Sequence, residues 1–421
     1  MFETLRNAWK LPELRKKLIF TALILLLYRV GNVIPVPYVD VKALGDMFDA
    51  VLGDTILGLY NAMSGSAFSN ATVLALSIQP YINASIIIQL LTVAIPALER
   101  MAKEEGEEGK KKINMITRMS TVGLGLIMGW AFYSMLNSYG ILTKTGFLSG
   151  LVIVLAFTAG SAVVMWLGEQ INEYGIGNGI SMILFANIIS GLPSGLSRML
   201  GMGWWAILVA IVMVALVLFI IFVNDAERRI PIQYAKRVVG RKIYGGQSTN
   251  LPIKVSMSGV MPVIFAQSIC SFPATICAFF GITAQSGKWW FDVFFSNTSW
   301  FYAFMYFIMI FFFGWFYAAI QYDPVEIANN LKKNGGFIPG FRPGKPTADF
   351  IAKVISKIVI FGSLYLGVVA LLPIICGNLI PGAGSLAIGG TSVIIVIGVA
   401  LETVKAIEAQ MLMRHYKGFL D

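Results

Sequence analysis

The sequence predicts an all-α membrane protein with ten transmembrane helices, and three observations predict it. Of 421 residues, 57% are hydrophobic and only 13% are charged, whereas soluble domains run at about 45–50% apolar and about 25% charged; the mean hydropathy is +0.75. Ten apolar windows reach the roughly 20 residues needed to cross the hydrocarbon. Lys and Arg concentrate in alternate loops between those windows, which is how topology is written in membrane proteins.

In chain order, residues 1–17 form an amphipathic basic stretch, Arg6 to Lys17, expected on the cytoplasmic side. An apolar run long enough to span follows, without the small-residue cleavage pattern of a signal peptide. The ten windows are 18–36, 71–96, 114–137, 147–168, 179–200, 203–223, 257–281, 299–320, 354–376 and 386–405. They divide the chain into an N-terminal half, 18–200, a C-terminal half, 203–405, and a tail, 406–421. With the N-terminus inside, the inside loops hold Arg100, Lys103, Lys110, Lys111, Lys112, Arg228, Arg229, Lys236, Arg237, Arg241, Lys242, Lys254, Lys332, Lys333, Arg342 and Lys345. The outside loops hold only Lys42, Lys144, Arg198 and Lys288, and the first of them is acidic, with Asp40, Asp46, Asp49 and Asp54. The bias places both termini inside.

Two segments break the pattern. Residues 55–69, TILGLYNAMSGSAFS, are apolar but too short and too rich in Gly and Ser to span. Two readings stand: an ordinary loop helix on the outer surface, or a re-entrant half-helix, which membrane depth tolerates only inside protein or a water-filled cavity. The inside loops 225–256 and 321–353 are long, polar and basic, and the second contains GGFIPGFRPGKPT. Its Gly and Pro predict a stiff, turn-rich protrusion rather than a helix. Both loops read either as connectors or as docking arms.

Several chemistries are excluded. Cys270, Cys277 and Cys376 lie in apolar runs without metal-ligand spacing, and His415 is the single histidine, so neither a Cys/His metal site nor a His-based triad can be assembled. GIGNGIS at 175–181 contains GxGxG but follows a spanning helix rather than a strand, so it reads as a turn with Asn178 capping the next helix, not as a phosphate loop. There is no Walker motif. The main charges within the spans are Arg29 and, near the end of the last window, Glu402. An ion-coupled carrier would place carboxylates at mid-depth, whereas Glu402 can snorkel to the surface. An intramembrane protease would need a Ser/His dyad, paired aspartates or HExxH, and none occurs. In the second window, Ile78, Ile82 and Ile86 fall at i, i+4 and i+8 on one face. Such a stripe ordinarily faces lipid or packing, but Gln79, Asn83 and Gln89 beside it indicate that part of this helix avoids lipid.

A resemblance runs through the whole chain. QPYINASIIIQLL (79–91), EGEEGKKKI (105–113), WLGEQINEYGIGNGIS (166–181), RRIPIQYAKR (228–237), QSTNLPIKVSMSGVMPVIFA (247–266), NLKKNGGFIPGFRPG (330–344) and GGTSVIIV (389–396) resemble, in family order, the SecY family of bacterial protein-export channel subunits. The short tail after Arg414 departs from the family pattern. The resemblance implies two inverted-repeat halves clasped around an hourglass pore, with a lateral gate between the second and third and the seventh and eighth spans. It implies a pore ring of Ile78, Ile82, Ile180, Leu184, Ile264 and Ile395, with Leu184 standing where isoleucine is common. It implies a plug at about 55–70 that includes Ser64, Gly65, Ser66 and Ala67, whose small side chains are expected to pack closely but weakly. Gate residues are expected at Asn83, Gln89 and Gln267, and docking residues at Arg241, Lys242 and Arg342. It further implies a non-enzymatic channel in the bacterial cytoplasmic membrane, without cofactor, that conducts unfolded preprotein and releases apolar segments into the lipid bilayer. Its implied partners are SecE, SecG, the ATPase SecA and the ribosome. An aliphatic ring suits that role: it grips no side chain strongly, and a narrow apolar constriction dewets and offers an ion nothing in place of its hydration shell. An accessory paralogue with few substrates is a further reading within the same family.

Overall fold

The computed structural model of the chain describes residues 2–48, 56–103, 105–200, 204–234, 237–239, 242–244, 248–256, 259–279, 294, 299–379 and 384–417. Each of the ten expected windows holds a helix: α2 (Pro12–Gly31), α5 (Gln79–Ala94), α7 (Gly106–Ser138), α8 (Phe147–Tyr174), α9 (Gly179–Leu200), α10 (Trp204–Asp225), α11 (Met261–Phe279), α12 (Trp300–Gln321), α14 (Lys345–Leu379) and α15 (Gly384–Lys417). The shorter helix α1 (Phe2–Lys10) precedes them, and α3 (Val41–Met47), α4 (Ile56–Ser64), α6 (Pro96–Lys103) and α13 (Pro324–Lys333) lie between them. The strands are β1 (Glu227–Tyr234), β2 (Arg237–Val239), β3 (Lys242–Tyr244), β4 (Ser248–Lys254) and β5 (Gly336–Phe337). Among the described residues, α7, α8, α10, α12 and α14 are each long and apolar enough to cross a membrane unaided. Helices α5 and α6 do so only as a pair, bent by 105°. The bend has a local cause: a proline disfavours helical backbone in the residue before it, and Ile95, before Pro96, is extended.

One large apolar cluster joins both halves. It draws Ile24 and Tyr28 from α2, Ile82 and Ile86 from α5, Ile183 and Leu184 from α9, Ile264 from α11, Ile310 from α12, Val369 from α14 and Ile395 from α15. The opposite surface is as apolar. On α10, Ile211, Leu218 and Phe222 are all exposed, an unpartnered hydrophobic belt of the kind that marks a lipid-facing surface. The chain is a multi-pass membrane protein.

One expectation needs correction. The second window starts at 71, but its helix starts at Gln79; residues 65–78 are turns, with Ser66, Ala71 and Ser77 in the left-handed region. In the 321–353 loop, the Gly- and Pro-rich segment is turn-like up to Gly344 apart from β5, as its composition implied, and a helix precedes it. Asp323 caps α13 by accepting from the amides of Val325 and Glu326, the stretches 334–335 and 338–344 on either side of β5 are turn-like, and Lys345 opens α14. Gly and Pro punctuated the segment but did not exclude a well-capped ten-residue helix before them.

Nor are the two basic loops separate arms. β1 pairs antiparallel with β4, from Glu227↔Lys254 to Gln233↔Ser248, and on its other edge with β5, where Gln233 faces Phe337 and Tyr234 faces Gly336. Ile230 and Ile232 of β1 pack with Ile253, with Ala328 and Leu331 of α13, and with Ile351 and Ile355 of α14. The loops thus share a small core of their own at one end of the bundle.

That core generates a prediction. Ile232→Asp puts a carboxylate among aliphatic side chains, a change expected to cost several kcal/mol. Limited proteolysis should then cleave both 225–256 and 321–353, while carbonate extraction still finds the chain in the membrane. Protection of the second loop in this variant would contradict a shared core.

Candidate pore and the seat of its plug

The centre of the bundle is built around α4. Gly65, at φ +64°, ends this helix, and side chains of the helix hold the turn that follows. Ser64 Oγ donates to Asn61 O (2.9 Å) and accepts from the Phe68 amide (3.2 Å), and Asn61 Oδ1 accepts from the Ser69 amide (2.9 Å). The chain then returns along 34–36: the Val36 amide donates to Ala71 O and the Val73 amide to Ile34 O, each at 2.9 Å. The outer side of this unit is aromatic, with Phe68 stacked on Phe132 at 4.1 Å and Tyr60 edge-on at 5.0 Å.

Its inner side is polar, and Asn187 of α9 is the hub. Asn187 Nδ2 donates to Met63 O (2.8 Å), to Tyr28 Oη (2.8 Å) and to Ser77 Oγ (3.2 Å). A carbonyl oxygen only accepts, so Met63 O fixes which way the amide of Asn187 points. Tyr28 Oη and Ser77 Oγ, 3.1 Å apart, close the triangle. From the other half of the molecule, Gln267 Nε2 of α11 reaches Met63 Sδ at 3.1 Å, as Gln79 Nε2 of α5 does at 3.3 Å, and Ser268 Oγ donates to Gln79 Oε1 at 3.4 Å. Asn32 Nδ2 donates to Ser64 O at 3.4 Å. Gly65 is required twice over: besides its positive φ, a Cβ there would come within 2.7 Å of Arg29 Nη1 and 3.0 Å of Asn187 Oδ1.

Directly against this seat lie the aliphatic residues expected to form a ring. Ile78, Ile82, Leu184, Ile264 and Ile395 are buried in the one cluster that also contains Met63, and Ile180 packs against it. The structure places all six in or against the same large cluster, from the turn before α5 and from α5, α9, α11 and α15. Of the expected plug residues, Ser64 and Ala67 are buried, Gly65 is half-buried and Ser66 is exposed. Of these four, Ser64 is also met from outside the segment, by Asn32 Nδ2 on its carbonyl, while the hydrogen bonds of Gly65, Ser66 and Ala67 stay within 61–72.

The three expected gate residues are not grouped together. Asn83 is buried on α5, Gln267 faces the plug through Met63, and Gln89 donates to Ser85 Oγ at 3.3 Å on its own helix and bonds Tyr317 of α12. Arg342 is exposed on the turn before α14, where its carbonyl accepts from Thr347 Oγ1 at 2.8 Å. Lys242 opens β3, paired with Val239, and Arg241 lies outside the described residues. Asn178 caps α9 as its position implied, accepting from the amides of Ile180 and Ser181 at 3.0 and 3.4 Å. Among the described residues no group of His, Cys, Asp and Glu could hold a metal ion.

Sequence reading missed Tyr28, Met63, Ser77, Asn187 and Ser268. Asn187 carried a readable signal: it is i+3 from Leu184 and i+7 from Ile180, so it shares their helix face, and a polar residue on the inner stripe of a span marks an interior contact. The SecY family model matches residues 72–404. The chain belongs to the SecY family. Relatives in the SecY family include the protein translocase subunit SecY of Streptomyces coelicolor, 44% identical over the whole of both chains, and those of Corynebacterium glutamicum, 42% identical over 98% of this chain and 99% of that one, and Halalkalibacterium halodurans, 41% identical over the whole of both. The fold matches solved structures described as a protein-conducting channel (TM-score 0.65, 18% identity) and as the SecY protein whose plug domain stabilises the closed state and maintains a membrane seal (0.64, 18%). It also matches Sec61 in a canine ribosome–channel complex (0.61, 17%), and each of the three likenesses covers 97% of both chains.

The hub gives a second prediction for this SecY-family chain. Asn187→Ala leaves Met63 O and Tyr28 Oη without their shared donor, a loss of about 1–3 kcal/mol for a buried polar group. A cysteine at Ala67 should then react about tenfold faster with a membrane-impermeant maleimide, since 1.4 kcal/mol is a factor of ten. An unchanged rate would mean that the aromatic side alone holds the segment.

Proposed function

We propose that this chain is the channel-forming subunit of a protein translocase, conducting unfolded polypeptide across the bacterial cytoplasmic membrane and releasing apolar segments sideways into lipid. The observation that supports the reading is that six aliphatic residues belong to or pack against the one buried cluster that also holds Met63 of the short helix α4. A translocating chain presents every side-chain type in turn; a polar constriction would hold some and reject others, whereas an aliphatic one yields to all and wets for none. Ile78, Ile82, Ile180, Leu184, Ile264 and Ile395 form the ring, and 55–70 the plug. The seam where α5 meets α11 and α12 is the lateral gate, with Asn83, Gln89 and Gln267 along it.

The basic loops and both termini face the cytoplasm, as the distribution of Lys and Arg requires. The chain supplies a path and no energy. The motor is a separate ATPase, SecA, or a ribosome pushing a nascent chain, and SecE and SecG complete the membrane complex. Solved relatives of the same fold are described as bound to ribosomes, one in the canine complex and one as the idle yeast Ssh1 complex on the yeast 80S ribosome. The exposed Arg342, and by sequence the cations Arg241 and Lys242 of the other basic loop, would meet ribosomal phosphates or an acidic motor face.

The test of the function is reconstitution with the motor ATPase, scored by protease protection of an unfolded preprotein; absence of ATP-dependent protection would end the proposal. Two variants test its parts. Replacing Ile82 and Ile264 together by Asn should raise the resting ion conductance in planar bilayers, and an unchanged leak would remove the ring from the seal. Arg342→Glu should weaken ribosome or motor binding by about fivefold, the value of roughly 1 kcal/mol for an exposed charge contact, with the difference growing as salt is lowered. Normal binding by a correctly inserted variant would remove Arg342 from the docking surface.

A further inference from the structure

The β-hairpin that grows from the end of α10 has two roots, and α15 touches both. At the entry root, Lys405 Nζ pairs with Asp225 Oδ1 at 2.8 Å and donates to Asn224 O at 3.2 Å, so a cation sits on the last turn of α10. At the exit root, α11 starts without a cap of its own. Val260 O accepts from the amides of Val263 and Ile264 at 3.1 and 3.3 Å, which makes Val260 the residue that opens the helix, and valine has no side-chain oxygen to satisfy the first amides. Glu402 supplies one from α15: its carboxylate hydrogen-bonds the backbone of Val260. Gly259, at φ +59°, leaves the room, since a Cβ there would collide with Glu402 Oε1. One turn earlier on α15, Gly398 makes a notch for Val260, whose Cγ2 would collide with any Cβ at that position.

The polarity of the two contacts is complementary. An anion lies at the start of α11 and a cation at the end of α10, each opposite the partial charge that a helix terminus carries. The roots are tied to each other as well, through the Val255 amide donating to Ala226 O at 2.9 Å, and Val255 O lies against Gly362 of α14, where a Cβ would approach within 2.6 Å. Glu402, near the end of the last expected span, is therefore not merely a side chain snorkelling to the surface.

Resting on the reading of this hairpin as a docking surface and of α11 as a gate helix, we propose that Glu402 and Lys405 are positioning residues: a two-ended clasp that fixes both hairpin roots to α15, so that a partner bound at the hairpin moves α11 rather than flexing the root. With both roots held, the hairpin behaves as a lever and α11 as its short arm. With the clasp open, the hairpin swings on the Gly259 turn and the motion ends there.

The experiment uses the full chain in its isolated membrane complex, reconstituted in liposomes. Cysteines replace Gln79 of α5 and Ser268 of α11, whose side chains meet at 3.4 Å, and their oxidative crosslinking reports whether the seam between the halves is closed. Non-translating bacterial ribosomes are the docking probe, with binding measured by co-sedimentation in the same samples. In the parent, ribosome binding should change the crosslinking rate at least about fivefold, the lower range of allosteric couplings. Glu402→Gln and Lys405→Met should bind ribosomes as the parent does, crosslink as the parent does when idle, and show less than about a twofold response, the coupling being lost. Gly259→Ala, which displaces the carboxylate without removing its charge, should behave like Glu402→Gln. If the variants bind and respond as fully as the parent, the clasp is wrong. If the parent itself does not bind, the docking reading fails and the clasp with it. If the parent binds but its seam does not respond, the lever is wrong while docking stands.

Discussion

Backbone at membrane depth must find every hydrogen-bond partner within the protein, and the structure around residues 65–78 follows from that requirement. This stretch is not helical, so its amides and carbonyls cannot satisfy one another in a regular ladder. Many are met by turn bonds within the stretch, such as Thr72 N to Ala67 O and Ser77 N to Leu74 O, and others by the strand-like return along 34–36 and by Asn61 and Ser64 at the end of α4. The plug is a short helix followed by turns, held by its own turn bonds and by Asn32 and Asn187, which donate to Ser64 O and Met63 O. The positive-φ backbone at Ser66, Ala71 and Ser77 costs of order 1–2 kcal/mol per residue, so the seat holds the segment against a standing strain. An element that must leave on demand is well served by that combination: specific contacts set its closed position, and strain lowers the free energy needed to open it.

The ring and the seat divide the work by polarity. The six aliphatic residues carry no donor or acceptor, so they neither orient the plug nor detain a passing chain. The polar groups lie beside them, where they address the plug and each other. Met63 joins the two systems, its thioether receiving Gln79 and Gln267 from opposite halves while its side chain belongs to the apolar cluster. Opening the α5–α11 seam would pull those two amides apart, so a seam movement at that level reaches the plug directly, through Met63, without a separate signal.

How much of this was legible in the sequence differs by element. The ten helices were, because a span announces itself by some twenty apolar residues and the loops between by their Lys and Arg. The six aliphatic positions were legible through resemblance alone; helical periodicity gave the stripe of Ile78, Ile82 and Ile86 but could not tell pore from packing or lipid. The start of the second span was placed eight residues early, since TVLALSI is as apolar as a helix interior and hydropathy does not register the left-handed backbone at Ala71 and Ser77. The polar seat was hidden for a different reason. Tyr28, Ser77, Asn187 and Gln267 come from four distant segments, and nothing local to any of them names the others. The shared core of the two basic loops was hidden likewise, because β1 pairs with strands both 20 and 100 residues away in sequence.

That polypeptide passes through this ring, and not along the outside of the bundle, is open to a positional measurement. Photoreactive residues placed at Ile82, Ile264 and Ile395, and as controls at the exposed Ile211 and Phe222 of α10, would be challenged with a hydrophilic preprotein arrested midway by a folded C-terminal domain. The geometry predicts adducts to the arrested chain from the three ring positions and none above background from the α10 positions. Adducts from Ile211 or Phe222 at yields equal to those from the ring, or silence at all three ring positions in a complex that still protects the preprotein, would show that the conducting path lies elsewhere.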